Sequence, residues 1–343
     1  MAHRKESSAP QSRPLCVLGR ETVPLDAKEM LARLLPEYRA YLQWLRAQGW
    51  QPLTQLSVSD ARARMQHMQR SDVSGYAVDV EQYAIDDFSV QVVKPHGVEE
   101  PLPAIIYYHG GGWVLGDFDT HGRMVRQIAI QSRAAVVFVE YARSPLVRYP
   151  VPLEQCYRAV TWVAGQGGSV GLDAARIAVA GDSAGGNLAA AVSLLAARRG
   201  GPAICLQALI YPITDCNFTT SSYRNFDSGL NLDTSAMRWF WDHYAPDEAS
   251  RLDPLASPLR ATLDELSGLP PALVITAECD VLRDEGEAFA RKLAEAGVPV
   301  TAVCFGGVLH AFMAINQLAR ECQARSAMHL LASELRQAFG EML

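Results

Sequence analysis

Arg176-Ile177-Ala178-Val179-Ala180-Gly181-Asp182-Ser183-Ala184-Gly185-Gly186-Asn187 is the stretch on which the fold turns. A short apolar run enters it, and an alanine-rich segment through Arg199 leaves it. The first predicts a buried strand and the second a helix. Between them, Gly-x-Ser-x-Gly makes a turn sharp enough to hold one serine hydroxyl out at its tip. A side chain at Gly181 or Gly185 would collide with the strand or the helix. Such a pentapeptide arises by chance in roughly one chain of this length in ten, so the surrounding sequence has to carry the reading.

Upstream, Ala104 to Tyr108 predicts another buried strand, and His109-Gly110-Gly111-Gly112 follows it directly. Three glycines let backbone amides face a cavity with no side chains in the way. Such amides can hold a developing alkoxide, each donor being worth about 3–4 kcal/mol in the transition state. Gly111 and Gly112 are the expected donors, with Ala184 as a third because the residue after the serine points the same way. His109, at the strand end before the glycines, reads as a structural hydrogen-bonding residue.

Four pieces of sequence carry a resemblance. They are His109-Gly110-Gly111-Gly112-Trp113, Gly181 to Asn187, Asp280-x-Leu282-Arg283-Asp284-Glu285-Gly286, and His310-x-Phe312. Together they resemble the hormone-sensitive-lipase-like family of α/β-hydrolase esterases, in the bacterial version with Gly-Asp-Ser-Ala-Gly at the elbow. The resemblance implies an α/β-hydrolase fold: a mostly parallel eight-stranded sheet flanked by helices, with a helical cap. It also implies a serine carboxylesterase acting on short-to-medium-chain acyl esters through an acyl-enzyme, with no metal or organic cofactor. An acetyl-hydrolase or amidase acting on one metabolite would show the same motifs, and a ligand-binding relative without catalysis is a further reading. The partner it implies is a small-molecule acyl ester. The family forms dimers through the last strand, which leaves a homodimer open for this chain.

In this fold the order is Ser, then Asp or Glu, then His. After Ser183 come His243, His310 and His329. His243 falls in a cap helix and His329 in the last long helix, where surface or packing roles are expected. His310 follows the last strand through Gly306-Gly307-Val308-Leu309, read as a loop, and is the expected base. Asp280 matches the family's acid, with Glu278 as fallback. Asp284 and Glu285 read as first-turn partners of the next helix dipole. Asp182 reads as a support for the oxyanion loop. Two departures stand out: Val281 replaces the usual proline after the acid, and Leu146 replaces a carboxylate in the segment after the fourth strand. Any hydrogen bond that carboxylate made is absent or rerouted here.

The chain has 343 residues, 49% hydrophobic and 20% charged, an ordinary globular composition. A net charge of −6 argues against a nucleic-acid partner, since phosphate neutralisation needs clustered Lys and Arg. No run approaches the ~20 apolar residues of a membrane span. Residues 1–13 lack the apolar core of a signal peptide. Seven cysteines without CxxC pairing favour a reducing cytoplasm over disulfides or zinc.

Residues 1–20 read as a disordered tail. N-terminal cap helices are expected over 21–70, one starting near Asp26 and divided or kinked at Pro36, a second following Ser59. From 71 to 343 strands alternate with helices, as in a largely parallel sheet. Residues 212–262 hold no strand signal but many aromatics, including Phe218, Trp239, Phe240, Trp241 and Tyr244. They read as a cap insertion, with a helix around Ser235 to Tyr244.

Overall fold

The computed structural model describes residues 27–49, 51–99 and 101–340. The expected tail and the proposed helix start at Asp26 lie outside them. Among the described residues, eight strands form one sheet in the order β1-β2-β4-β3-β5-β6-β7-β8. They are β1 (Val78–Ile85), β2 (Phe88–Pro95), β3 (Leu102–Tyr108), β4 (Ala135–Glu140), β5 (Leu172–Asp182), β6 (Leu206–Ile210), β7 (Ala272–Cys279) and β8 (Val300–Leu309). β2 is antiparallel to both β1 and β4, and every other pairing is parallel. β3 and β6 lie within the sheet and are buried along their whole length, as parallel strands covered on both faces must be.

The helices are α1 (Ala27–Arg33), α2 (Pro36–Ala47), α3 (Val58–Met68), α4 (Phe118–Ser132), α5 (Val151–Gln166), α6 (Ala184–Arg199), α7 (Ser221–Asn225), α8 (Thr234–Tyr244), α9 (Glu248–Leu252), α10 (Leu263–Leu266), α11 (Arg283–Glu295) and α12 (Cys322–Ala338). α4 packs with α12, while α5 packs with α6, and α10 bridges α6 and α11. Pro36 divides the N-terminal helix, taking the first-turn position of α2, where its missing N–H costs nothing.

Three boundaries differ from the sequence expectation. α3 is capped by Ser57 rather than Ser59. The sequence places the start of the next helix at Arg123, but α4 begins five residues earlier, at Phe118, because Asp117 and Thr120 form a capping box with threonine in the place usually held by Glu or Gln. β8 runs through Gly306 to Leu309 instead of ending in a loop. An irregularity there pairs Ala277 with Phe305 but Cys279 with Leu309. The extra residues on β8 are absorbed where Gly307 takes φ +70°, and both strand ends arrive side by side.

The segment between β6 and β7 carries α7 to α10 and no strand. It meets the N-terminal helices: Arg46 donates to the Gly229 carbonyl at 3.2 Å. The end of α1 is tied to the sheet by an Arg33–Glu278 pair at 3.3 Å, and the start of α2 by Leu35 N–H donating to Gly307 O at 2.9 Å. Leu146 points to solvent, 84% exposed. The neighbouring chain is held by Arg62, which donates to the carbonyls of Val114 and Ser144 at 2.9 Å. No helix among the described residues is long and apolar enough to cross a membrane.

Candidate active site

Ser183 follows β5 and precedes α6 with φ 58° and ψ −116°, a conformation that costs a non-glycine residue of order 1–3 kcal/mol. The turn is over-determined. Ser183 N–H donates to Ile210 O at 2.8 Å, and its own carbonyl accepts from Asn187 and Ile213. A Cβ on Gly185 would overlap the Tyr108 carbonyl, so the helix can enter this close to β3 only with glycine there.

His310 and Asp280 follow the paired ends of β8 and β7, Leu309 and Cys279. This register is why residues 30 apart in sequence meet. His310 Nδ1 lies 2.7 Å from Asp280 Oδ2, and His310 Nε2 lies 3.0 Å from Ser183 Oγ. The other Asp280 oxygen accepts from Leu282 N–H at 3.0 Å, fixing the carboxylate plane. All three residues are buried. Glu278, the fallback acid, points elsewhere: it accepts from Gly307 N–H at 2.8 Å and pairs with Arg33. His243 Nδ1 is instead 2.7 Å from the Trp239 carbonyl within α8, and His329 lies in α12.

The glycine loop after β3 sits beside the elbow. Gly111 and Gly112 adopt φ +105° and +61°, the region glycine enters without penalty. Among the described residues, no acceptor receives the amides of Gly111, Gly112 or Ala184. Gly111 and Gly112 line the same cavity as Ser183 and His310; Ala184 is fully buried at the head of α6. Asp182 supports this loop, its Oδ1 accepting from Gly110 N–H at 2.9 Å and from Tyr107 O–H at 2.8 Å. His121 Nε2 is 3.6 Å from the same oxygen. Burial pushes the Asp182 carboxyl up, but His121, Tyr107 and the Gly110 amide together hold it below its ordinary value. The converse holds for His121: burial lowers it, and facing Asp182 raises it above the usual imidazole value. His109 is pushed down to about 3, by burial first and then by His121, which keeps it neutral. It stacks on Tyr141 with centroids 4.2 Å apart and lies 2.8 Å from Gly110 O through Nδ1.

Asp284 and Glu285 do more than face a helix dipole. Asp284 accepts from Ser222 N–H at 2.9 Å. Glu285 is buried and accepts from the amides of Thr214 and Asp215 at 2.7 and 3.2 Å, tying α11 to the chain after β6. Burial pushes its carboxyl well above the ordinary value.

The cavity over Ser183 measures about 160 Å³. α2 and α3 contribute Tyr41, Met65 and Met68, Gln69 follows α3, and the segment after β6 contributes Asn231, Leu232, Met237 and Phe240. Of the aromatics noted in that segment, Phe240 lines this cavity. Trp241 and Tyr244 pack inward, where Tyr244 stacks on Trp113 of the glycine loop with centroids 4.2 Å apart. The Phe240 ring lies so close to Gly112 that a methyl there would overlap it.

Residues 105–314 match the family model described as alpha/beta hydrolase fold. An ethyl acetate hydrolase of Pseudomonas putida is 39% identical over 219 residues, covering 64% of this chain and 68% of that protein. Carboxylesterase NlhH of Mycobacterium tuberculosis is 40% identical over 217 residues, covering 63% of this chain and 68% of that protein. The crystal structure of a thermostable esterase from Pseudomonas putida superposes with a TM-score of 0.87 at 44% identity, over 90% of this chain and 98% of that one. The sheet order, the serine turn and these relatives agree: the chain belongs to the hormone-sensitive-lipase-like family of α/β-hydrolases and is a carboxylic-ester hydrolase.

Proposed function

We propose that Ser183 is the nucleophile, His310 the general base and Asp280 the acid that orients it, with Gly111, Gly112 and Ala184 as the oxyanion hole. The observation that carries this is a continuous line from Asp280 through His310 to Ser183 Oγ, opening on a cavity whose glycine amides have no acceptor among the described residues. His310 takes the Ser183 proton as Oγ attacks the ester carbonyl. The carbonyl electrons move to the oxygen, which the amides receive. As the tetrahedral centre collapses, His310 hands the proton to the departing alcohol. Water then attacks the acyl-Ser183 ester by the same sequence and releases the acid. A fluorophosphonate probe should label the protein at Ser183, and a protein that stays unlabelled would sink the reading.

The N-terminal helices α1 to α3 and the insertion at 212–262 then act as a cap on the hydrolase body. A cavity of about 160 Å³ matches a group of about benzene's size, since an apolar void of ~150 Å³ takes up benzene. That supports short-to-medium acyl chains, as does the ethyl acetate hydrolase among the relatives. Across p-nitrophenyl esters from acetate to palmitate, kcat/KM is expected to peak at the short end. A maximum at palmitate would refute the size argument.

Gly112→Ala tests the oxyanion loop. The added methyl meets the Phe240 ring, and φ +61° is unfavourable for alanine. Displacing one donor is expected to lower kcat by about a hundredfold or more. Adding Phe240→Ala removes the clash and should recover part of the loss. A Gly112→Ala enzyme with wild-type kcat would show that the loop amide is idle.

A further inference from the structure

His310 leaves β8 into a segment without regular structure until the short turn at Asn316–Leu318. Its neighbour Ala311 takes φ +61°, so the backbone there is strained. Three side chains from three separate parts of the chain hold it. Asn231, between α7 and α8, donates Nδ2 to the carbonyl of His310 itself at 2.9 Å. Gln69, just past α3, donates to Ala314 O at 2.9 Å and accepts from Asn316 N–H at 3.1 Å. Arg123, in α4, donates Nη2 to Met313 O at 2.6 Å and Ala314 O at 2.9 Å, and Nε to Asn316 Oδ1 at 2.6 Å. Its Nη1 donates to Gln127 at 2.7 Å.

Arg123 is buried, and among the described residues no carboxylate accepts from it. An unpaired buried cation is costly unless strong dipoles surround it. The dipoles that stabilise it are the carbonyls of the segment carrying the base. Cation and segment therefore fix each other. A structural arginine at this depth would be equally well served by a carboxylate, which would hold the cation and leave the loop free.

We propose that Arg123, Gln69 and Asn231 are positioning residues for His310, with Arg123 at the centre of the clamp. They keep the imidazole within reach of Ser183 Oγ, and through Gln69 and Asn231 they tie that placement to both walls of the substrate cavity. The proposal rests on the Ser183–His310 reading above.

The test counts competent sites by fluorophosphonate titration, then divides turnover of a p-nitrophenyl ester by that count. Arg123→Met is expected to lower kcat per titrated site by about a hundredfold, since a displacement near 1 Å costs that much. Asn231→Ala removes one bond from a half-buried site and should cost about tenfold, with KM within about threefold in both variants. Arg123→Lys, which retains a donor to the carbonyls, should recover part of the rate. If Arg123→Met does not fold, Asn231→Ala decides the matter. Variants that lose titratable sites and thermal stability but keep kcat per site would overturn the clamp. Failure of the underlying reading looks different: wild-type protein would go unlabelled, or labelling would survive Ser183→Ala.

Discussion

Ser183→Ala is expected to lower ester hydrolysis by about 10⁴-fold or more while leaving the fold intact. The substitution removes one oxygen. In the structure that oxygen touches His310 Nε2, and the turn around it is held by backbone bonds that alanine keeps. Alanine also has the same Cβ as serine, so the strain at φ 58° is unchanged. The unaccepted amides of the glycine loop persist, and a residual rate above the uncatalysed one is expected from them. The measurement is kcat/KM on p-nitrophenyl butyrate together with fluorophosphonate labelling, with thermal unfolding as the folding control. Retention of more than about 1% of activity in this variant would place the nucleophile elsewhere.

Asp280→Asn is nearly isosteric and should cost about 10⁴-fold in kcat. The reason lies in the second carboxylate oxygen. Asp280 Oδ1 accepts from Leu282 N–H, so an asparagine has to turn its own oxygen there. Its amide group then faces His310 Nδ1, which must present a lone pair. The imidazole proton moves to Nε2, the atom 3.0 Å from Ser183 Oγ. A nitrogen that already carries a proton cannot take another from serine. Stability should change far less than rate, because packing and the Leu282 bond are preserved. A loss smaller than tenfold would mean that the tautomer of His310 is set by something other than Asp280.

Much of this architecture is legible in the sequence because it is written in apolar runs. Ala104 to Tyr108 and Ile177 to Ala180 announce central strands by being apolar without alternation, which burial on both faces demands. Ser183, His310 and Asp280 are legible because each follows a strand and stands in a recognisable motif, and the structure brings them into one line. The end of β8 is not legible because Gly306-Gly307 reads as a loop; the pairing of Cys279 with Leu309 puts the glycines within a strand. Phe240 and Trp241 are adjacent aromatics on α8, and sequence alone does not say which faces the cavity, since packing decides the rotation of the helix. Arg123, Gln69 and Asn231 left no mark at all. Their acceptors are backbone carbonyls, which every residue possesses, so no partner residue type or spacing points to them.

The contact between Phe240 and Gly112 limits how this enzyme can be re-engineered. Phe240 lines the cavity over Ser183, and the same ring packs against Gly112 of the glycine loop. A smaller residue at 240 would widen the pocket and loosen the Gly112 amide in one step. If the Gly112 amide receives the oxyanion as proposed, breadth of substrate and speed of turnover are coupled through a single phenyl ring, and a variant selected for bulkier esters at this position is expected to lose rate that a compensating change in the loop would have to repair.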